Sequence, residues 1–316
     1  MIAPLPVKNG VAPSRVYLTK GPWPTLFDYL VHRFPYTSPT IILERLMRGE
    51  IVDAQGVPQS PDAPYSADQW LWYYREVPDE TVVPFQIRVL HRDERLLVID
   101  KPHFLASIPG GRYLRETALT RMRQQLDLPH LSPVHRLDRE TAGVMLFTVD
   151  PACRGAYQSL FQSRAVTKTY EAVAPWSARI DFPRVHESRI DAKPTHFTMQ
   201  EVDGVPNSHT TIELLKRSGN FALYRLSPLT GRKHQLRVHM SALGIPIYND
   251  LFYPELQPSP AFDDFSKPLQ LLARRISFKD PYSGKVRAFE SLQYLRVALV
   301  AGLQSEACDS GDHSYV

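Results

Sequence analysis

Apolar positions in the first eighty residues recur at helical spacing. Leu26, Leu30 and Phe34 lie four apart, and Ile42, Leu43, Leu46 and Met47 form a second stripe, opened by Pro39 and stopped by Gly49. Glu50 to Val57 reads as a turn-bearing strand, and the later WLWYYRE segment as an aromatic strand. Residues 1–20 hold prolines and small polar residues without a period and read as a flexible arm. Beyond Pro84 the pattern changes. Leu96-Leu97-Val98-Ile99 is a buried-strand run ended by Lys101-Pro102, and Ala118, Leu119, Met122 and Leu126 return to helical spacing. A second apolar run spans Val144 to Val149, after which Asp150 can cap a helix opened by Pro151. Alternation over Thr167 to Val173 places Tyr170 on a strand, and Ser218-Gly219-Asn220 joins two strand-like runs as a hairpin turn. Thr230-Gly231 then turns the chain into a helix from Arg232, on which Leu236, Met240 and Leu243 share a face with Arg237 at its edge. Residues 301–316 are polar and small, which predicts a flexible tail. The pattern therefore predicts an arm over 1–20, a small α+β module over 21–80, a larger α+β domain over 84–300, and the tail.

Composition sharpens this only modestly. At 316 residues the chain can bury one core plus a small accessory module. A formal charge of +4 and a pI of about 9.0 permit binding to a polyanion without requiring it. Cys153 and Cys308 supply neither a disulfide framework nor a zinc cluster, which points to a reducing, cytoplasmic setting. No stretch approaches the roughly 20 apolar residues of a membrane span, and the first twenty residues lack the apolar centre of a signal peptide. A soluble, unprocessed protein is expected.

Candidate chemistry concentrates in His135-Arg136-Leu137-Asp138-Arg139-Glu140-Thr141-Ala142-Gly143. It sets Asp138 among basic neighbours just before an apolar strand. The flanking arginines favour an ionised carboxylate, which can act as nucleophile or base. For an isolated Asp the commoner arrangement is a solvated surface pair worth little. This Asp is not isolated. The nonapeptide resembles the His-Arg-Leu-Asp-x-x-Thr-Ser-Gly loop of RluA-type pseudouridine synthases. Lys168-Thr169-Tyr170-Glu171-Ala172-Val173 resembles that family's Lys-x-Tyr-x-Ala strand, and Thr230-Gly231-Arg232-Lys233-His234-Gln235-Leu236-Arg237-Val238-His239 its Thr-Gly-Arg-x-His-Gln-Ile/Leu-Arg-x-His helix. The likeness covers roughly residues 84 to 290. Three positions depart from the pattern: Ala142 replaces a usual Ser, Leu272 a common His, and Asn249 a usual Gly. In front of it, the order helix, helix, RGEIVDAQG and aromatic strand resembles an S-four-like RNA-binding module.

The resemblance implies a catalytic domain on a mixed, largely antiparallel sheet, and an enzyme that turns uridine in structured RNA into its carbon-linked isomer with no cofactor or metal. It assigns the nucleophile to Asp138, base stacking and proton movement to Tyr170, and a paired guanidinium to Arg237. The target base must be extruded, which is cheapest in unpaired loops, and the resemblance has Arg136 fill the vacated place. Phosphate contacts are expected from Arg112, Arg115, Arg139, Arg232, Lys233 and His234. His135, His234 and His239 have no acidic or sulfur partners at ligand spacing nearby, so no metal site is expected. A fused docking module favours ribosomal over transfer RNA, and analogy favours a monomer. Two rival readings are a catalytically silent RNA-binding or ribosome-assembly factor, opposed by the intact Asp138, Tyr170 and Arg237, and a small-molecule hydrolase, which leaves the basic helix unexplained.

Overall fold

The computed structural model describes residues 3–76, 80–194, 197–257 and 264–296. The expected tail over 301–316 lies outside these residues. The chain divides into two compact units. The first comprises Met1–Glu80, Pro109–Arg115 and Thr120–Pro129, and the second Thr81–Ile108, Glu116–Leu119 and His130–Val316.

In the first unit β1 (Ser14–Tyr17) pairs antiparallel with β2 (Trp70–Tyr73), and α1 (Leu26–Arg33) and α2 (Pro39–Met47) supply the rest of its core. Thr25 and Asp28 form a reciprocal capping box at the start of α1, which satisfies two of its orphan N–H groups. Val16, Leu18, Leu26, Tyr29, Leu30, Ile42, Leu46 and Leu71 bury together. Three expectations change here. Residues 14–17 form a strand rather than part of a loose arm, because Val16 and Leu18 are needed to cover the helices. Glu50 to Val57 is not a strand; Val52 makes only isolated bridges to Pro58 and Trp72. In α2 only Ile42 and Leu46 bury, while Leu43 and Met47 are exposed.

The second unit is built on an eleven-stranded sheet. In chain order its strands are β3 (Arg88–Arg92), β4 (Leu96–Lys101), β5 (Ser132–Pro133), β6 (Ala142–Thr148), β7 (Val166–Pro175), β8 (Arg184–Ala192), β9 (Met199–Val202), β10 (Ser208–Ser218), β11 (Phe221–Pro228), β12 (Leu271–Lys279) and β13 (Val286–Glu290). The spatial order is β3-β4-β6-β12-β7-β11-β10-β8-β9, with β5 on β6 and β13 on β12. Only the β6–β12 pair is parallel, so the sheet is mixed and largely antiparallel. α3 (Ala118–Leu126), which from Thr120 onward belongs to the first unit, precedes β5; in the second unit a 3-10 turn over Pro151–Cys153 capped by Asp150 leads into α4 (Arg154–Gln162), and α5 (Gln235–Ala242) follows β11.

Two strands carry the matched motifs at the centre of the sheet. β6 is buried at every position, and its Gly143 has φ +115, where an added Cβ would meet the Ala273 carbonyl oxygen at 2.3 Å. β7 runs between β12 and β11 and places Tyr170 opposite Leu226. Its neighbour Glu171 is buried and accepts from Arg274 Nη2 at 2.8 Å, a pair that ties β7 to β12 beneath the site. α5 starts at Gln235 rather than Arg232, because His234 takes the left-handed conformation (φ 57) and interrupts the helix before it. Arg237, expected at a helix edge, is fully buried.

Candidate active site

An open cavity of about 850 Å³ lies in the second unit, within the range that ligand sites occupy. The loop between β5 and β6, strand β7, and the turn into α5 line it. Arg136, Arg139, Arg164, Lys168, Arg232, Lys233 and Arg237 contribute cationic groups, against a single carboxylate among the described residues, that of Asp138. Such a lining suits a polyanion.

The Asp138 loop is held by its backbone. Leu137 donates its N–H to Ser107 Oγ at 3.0 Å and accepts from the same hydroxyl at 2.6 Å. The Arg139 carbonyl accepts from Lys101 Nζ at 3.3 Å, and that ammonium also donates to the carbonyls of Pro102 and Leu105. Lys101 is completely buried, and burial lowers its pKa to about 7 against the opposing pull of Glu140 and Asp138. His103 Nδ1 meets the Glu140 carbonyl at 2.7 Å. His135 accepts the Leu146 N–H through Nε2 at 3.1 Å and stacks on Phe161, with burial lowering its pKa to about 3. The loop is fixed on both sides of Asp138, leaving that side chain 29% exposed toward the cavity.

Arg237 has a stronger partner than the one expected. Its Nε and Nη2 donate to Asp250 Oδ2 and Oδ1 at 2.8 and 2.6 Å, a bidentate fork between two side chains each 1% exposed. Asp250 also accepts from the N–H groups of Phe252 and Tyr253. The remaining nitrogen, Nη1, reaches Asp138 Oδ2 at 3.5 Å and Glu140 Oε2 at 3.8 Å. Burial opposes the charge on Arg237, but the Asp250 bonds outweigh it and raise its pKa. The Phe252 ring lies 4.3 Å from the guanidinium carbon. Asp250 is thus the buffer that keeps a buried cation in place, and Arg237 offers one free edge to Asp138.

Tyr170 lines the same cavity from β7, half-buried, and its hydroxyl has no hydrogen bond to another described residue. Burial, reinforced by the Asp138 charge, raises its pKa. Lys168, on the same strand, donates to the Thr230 carbonyl at 3.1 Å and so joins this strand to the turn before α5. That turn is organised by Gln235, whose Oε1 accepts from Thr230 Oγ1 and the Arg232 N–H while its amide donates to the His209 carbonyl and Thr210.

The other candidate residues divide. Arg136 is exposed on the cavity wall, and Arg232 and Lys233 are exposed at its rim, donating to the carbonyls of Asn207 and Phe197. Arg139 is turned into an ion pair with Glu140 at 3.2 Å. His234 is not a surface contact; it is 8% exposed, and burial first, then the Arg237 and Lys233 charges, lower its pKa to about 3. Arg112 and Arg115 are exposed but belong to the first unit and do not line the cavity. His239 meets acidic company that sequence spacing could not show: His186 and Glu201 from β8 and β9 bring their ligand-type atoms within 4.8 Å of its own. Both His239 ring nitrogens are already hydrogen-bonded, to Thr210 Oγ1 and Ser208 Oγ at 2.9 Å each, and Glu201 accepts from or faces His186 at 2.8 Å. Asp250, Tyr253 and Phe252 were not signalled by motif; Asp250 follows Asn249, whose φ of 63 a glycine or asparagine adopts readily, so the usual Gly and the Asn found here serve one turn.

A buried guanidinium beside a cavity-facing carboxylate, an aromatic ring and a cationic rim suit a polyanionic substrate, and comparisons with known proteins give the chain's family. Residues 95–242 match the RNA pseudouridylate synthase family. The chain is 30% identical over 233 residues to an uncharacterized RNA pseudouridine synthase of Synechocystis sp., covering 72% of this chain and 79% of that protein. It is 35% identical over 211 residues to the dual-specificity RNA pseudouridine synthase RluA of Vibrio vulnificus, covering 63% of this chain and 80% of that protein. The solved structure of human RNA pseudouridylate synthase domain containing 4 is 26% identical and superposes with a TM-score of 0.52, covering 68% of this chain and 91% of that one. The chain belongs to the RluA-type RNA pseudouridine synthases, isomerases that convert uridine in RNA to pseudouridine. Among the described residues no helix is long and apolar enough to cross a membrane.

Proposed function

We propose that this protein isomerises uridines in unpaired loops of structured RNA, with Asp138 as the reacting carboxylate. The observation that carries this reading is the position of Asp138: among the described residues the only acid lining a cationic cavity, on a pinned loop, with Arg237 Nη1 at 3.5 Å. The uracil must be detached from its sugar through nitrogen, turned, and rejoined through carbon. Asp138 starts this by attacking the anomeric carbon or the sixth ring carbon, or by assisting elimination to a glycal. Tyr170 stacks on the base and moves a proton at its hydroxyl; Arg237 orients the carboxylate. Arg136 fills the place of the extruded nucleotide, and the exposed Arg232 and Lys233 bind phosphates.

The first unit is proposed as an S-four-like docking module. It carries eleven Lys and Arg against ten Asp and Glu. The second unit, with 26 Lys and Arg against 23 Asp and Glu, is as nearly balanced, so net charge does not divide the phosphate contacts between the two units. The target is proposed to lie in ribosomal or transfer RNA, with ribosomal RNA preferred for an enzyme with a docking module. Mapping pseudouridine across total RNA from cells with and without the protein tests this. Sites lost without the protein and restored by the wild type, but not by Asp138→Asn, support it; an unchanged map contradicts it.

A further inference from the structure

One buried group beside the nucleophile has no role in the proposal above. His234 sits at the N-cap of α5 with φ 57, in a left-handed conformation that costs a non-glycine residue energy and persists where the surroundings demand it. Its Nε2 faces Asp138 Oδ2 at 4.0 Å, and its Nδ1 lies 2.8 Å from the Tyr253 hydroxyl. That hydroxyl already accepts the Met199 N–H at 2.8 Å. Tyr253 is 6% exposed, so its single proton needs an acceptor, and among the described residues the His234 Nδ1 is the one in reach. Nδ1 is therefore the acceptor, and the neutral ring carries its proton on Nε2. Burial keeps the ring neutral, and a positive ring would stand against Arg237 and Lys233.

The two oxygens of Asp138 then differ. Arg237 Nη1 and His234 Nε2 both approach Oδ2, and no described group donates to Oδ1. We infer that His234 is a positioning residue of this enzyme: with its tautomer set by Tyr253, it donates Nε2–H to Asp138 Oδ2, so that Oδ1 is the oxygen that reacts. The free-enzyme distance of 4.0 Å is longer than a hydrogen bond, and such bonds tighten when substrate fills the site. The inference rests on the proposed role of Asp138, and its first test does not.

That test is the tautomer. Full-length protein labelled with ¹⁵N-histidine is observed by long-range ¹H–¹⁵N correlation between pH 5.5 and 8, with His234 assigned by the signal missing in His234→Gln. The expected pattern is a pyrrole-type Nε2 and a pyridine-type Nδ1 throughout. A pyrrole-type Nδ1, or an imidazolium at neutral pH, overturns the inference whatever the enzyme does to RNA. The second test is kinetic, using in vitro transcripts of ribosomal and transfer RNA tritiated at the fifth carbon of uridine. Asn puts its amide near the place of Nδ1, while Gln carries an N–H to about the reach of Nε2. Asn also tolerates φ 57 better than Gln. Backbone preference thus favours His234→Asn and the donor hypothesis favours His234→Gln. The single-turnover rate is expected to fall about ten- to a hundredfold in His234→Asn, the worth of one hydrogen bond to a charged group, and less than tenfold in His234→Gln. RNA affinity is expected to stay within about twofold in both. Equal rates in the two variants, or a loss confined to affinity, overturn the positioning role. If wild-type protein releases no tritium from either RNA, the proposed activity fails instead, and the tautomer still decides the assignment.

Discussion

Replacing Asp250 by Asn should damage the protein far more than replacing Asp138 by Asn. Asp250 accepts two guanidinium bonds from Arg237 at 2.8 and 2.6 Å, and both side chains are 1% exposed. The substitution keeps the volume but leaves a buried cation without its neutralising partner, which typically costs about 3–5 kcal/mol. Asp138 is 29% exposed and meets only Nη1 at 3.5 Å, while Arg237 keeps its fork to Asp250. The Asp138→Asn cost should therefore be that of a weak, solvent-screened pair, about 1 kcal/mol or less. Urea unfolding followed by fluorescence separates these cases. With a slope of about 1–3 kcal/mol per molar urea, Asp250→Asn lowers the midpoint by more than about 1 M, and Asp138→Asn by a few tenths. Asp250→Asn also loses turnover, because the released guanidinium moves toward Asp138 and Glu140. If Asp138→Asn destabilises as much as Asp250→Asn, Arg237 is anchored by Asp138 and the reasoning is refuted.

Tyr170→Phe should leave the unfolding free energy within about 1 kcal/mol of wild type, since no described residue bonds its hydroxyl, while the single-turnover rate falls about 10²–10⁴-fold; a wild-type rate would reduce Tyr170 to packing. His234 and His239 are 8% and 0% exposed with pKa values lowered to about 3, burial being the main cause of each. Their unfolded forms bind protons that the folded forms do not, so stability is full above pH 6.5 and falls as pH drops toward 3, by up to about 3 kcal/mol per pH unit for the two together; stability flat between pH 6.5 and 4.5 would contradict this. Ala142 and Leu272 are cross-strand partners, both completely buried in one apolar cluster. Leu272→His should cost about 3 kcal/mol, and adding Ala142→Ser should recover about 1 kcal/mol of it through coupling; strictly additive effects would show that the two positions do not interact.

That pair also shows what sequence could and could not reveal. The departures at Ala142 and Leu272 lie 130 residues apart and looked unrelated, yet β6 and β12 set them side by side, so two apolar side chains meet there and neither leaves a buried polar group unsatisfied. The candidate residues that meet at the cavity were legible from local motifs, because the His-Arg-Leu-Asp loop, the Tyr170 strand and the Arg237 helix each announce themselves within ten residues. Asp250 was not, since it carries no motif of its own and acquires meaning only when the turn after α5 brings it back to Arg237. The start of α5 was misplaced for a local reason: Arg232 and Lys233 look helical, but His234 adopts a left-handed conformation. The boundary near Pro84 marked a change of pattern, but the first unit also takes in Pro109–Arg115 and Thr120–Pro129. Glu80 accepts from the N–H groups of Leu114 and Arg115, and Arg123 donates to the Gly10 carbonyl. Cutting the chain near residue 82 would remove those partners, so a unit assembled from distant segments cannot be read as a separable N-terminal piece.

The central claim is that Asp138 does chemistry rather than hold structure. Its most direct test is pseudouridine formation under single-turnover conditions, by wild type and Asp138→Asn side by side, on an RNA transcript carrying a uridine identified by mapping. RNA affinity and the urea midpoint are measured on the same preparations. The expected result is an Asp138→Asn protein that folds and binds RNA as the wild type does and forms no pseudouridine. Turnover by that variant within about tenfold of wild type would contradict the account.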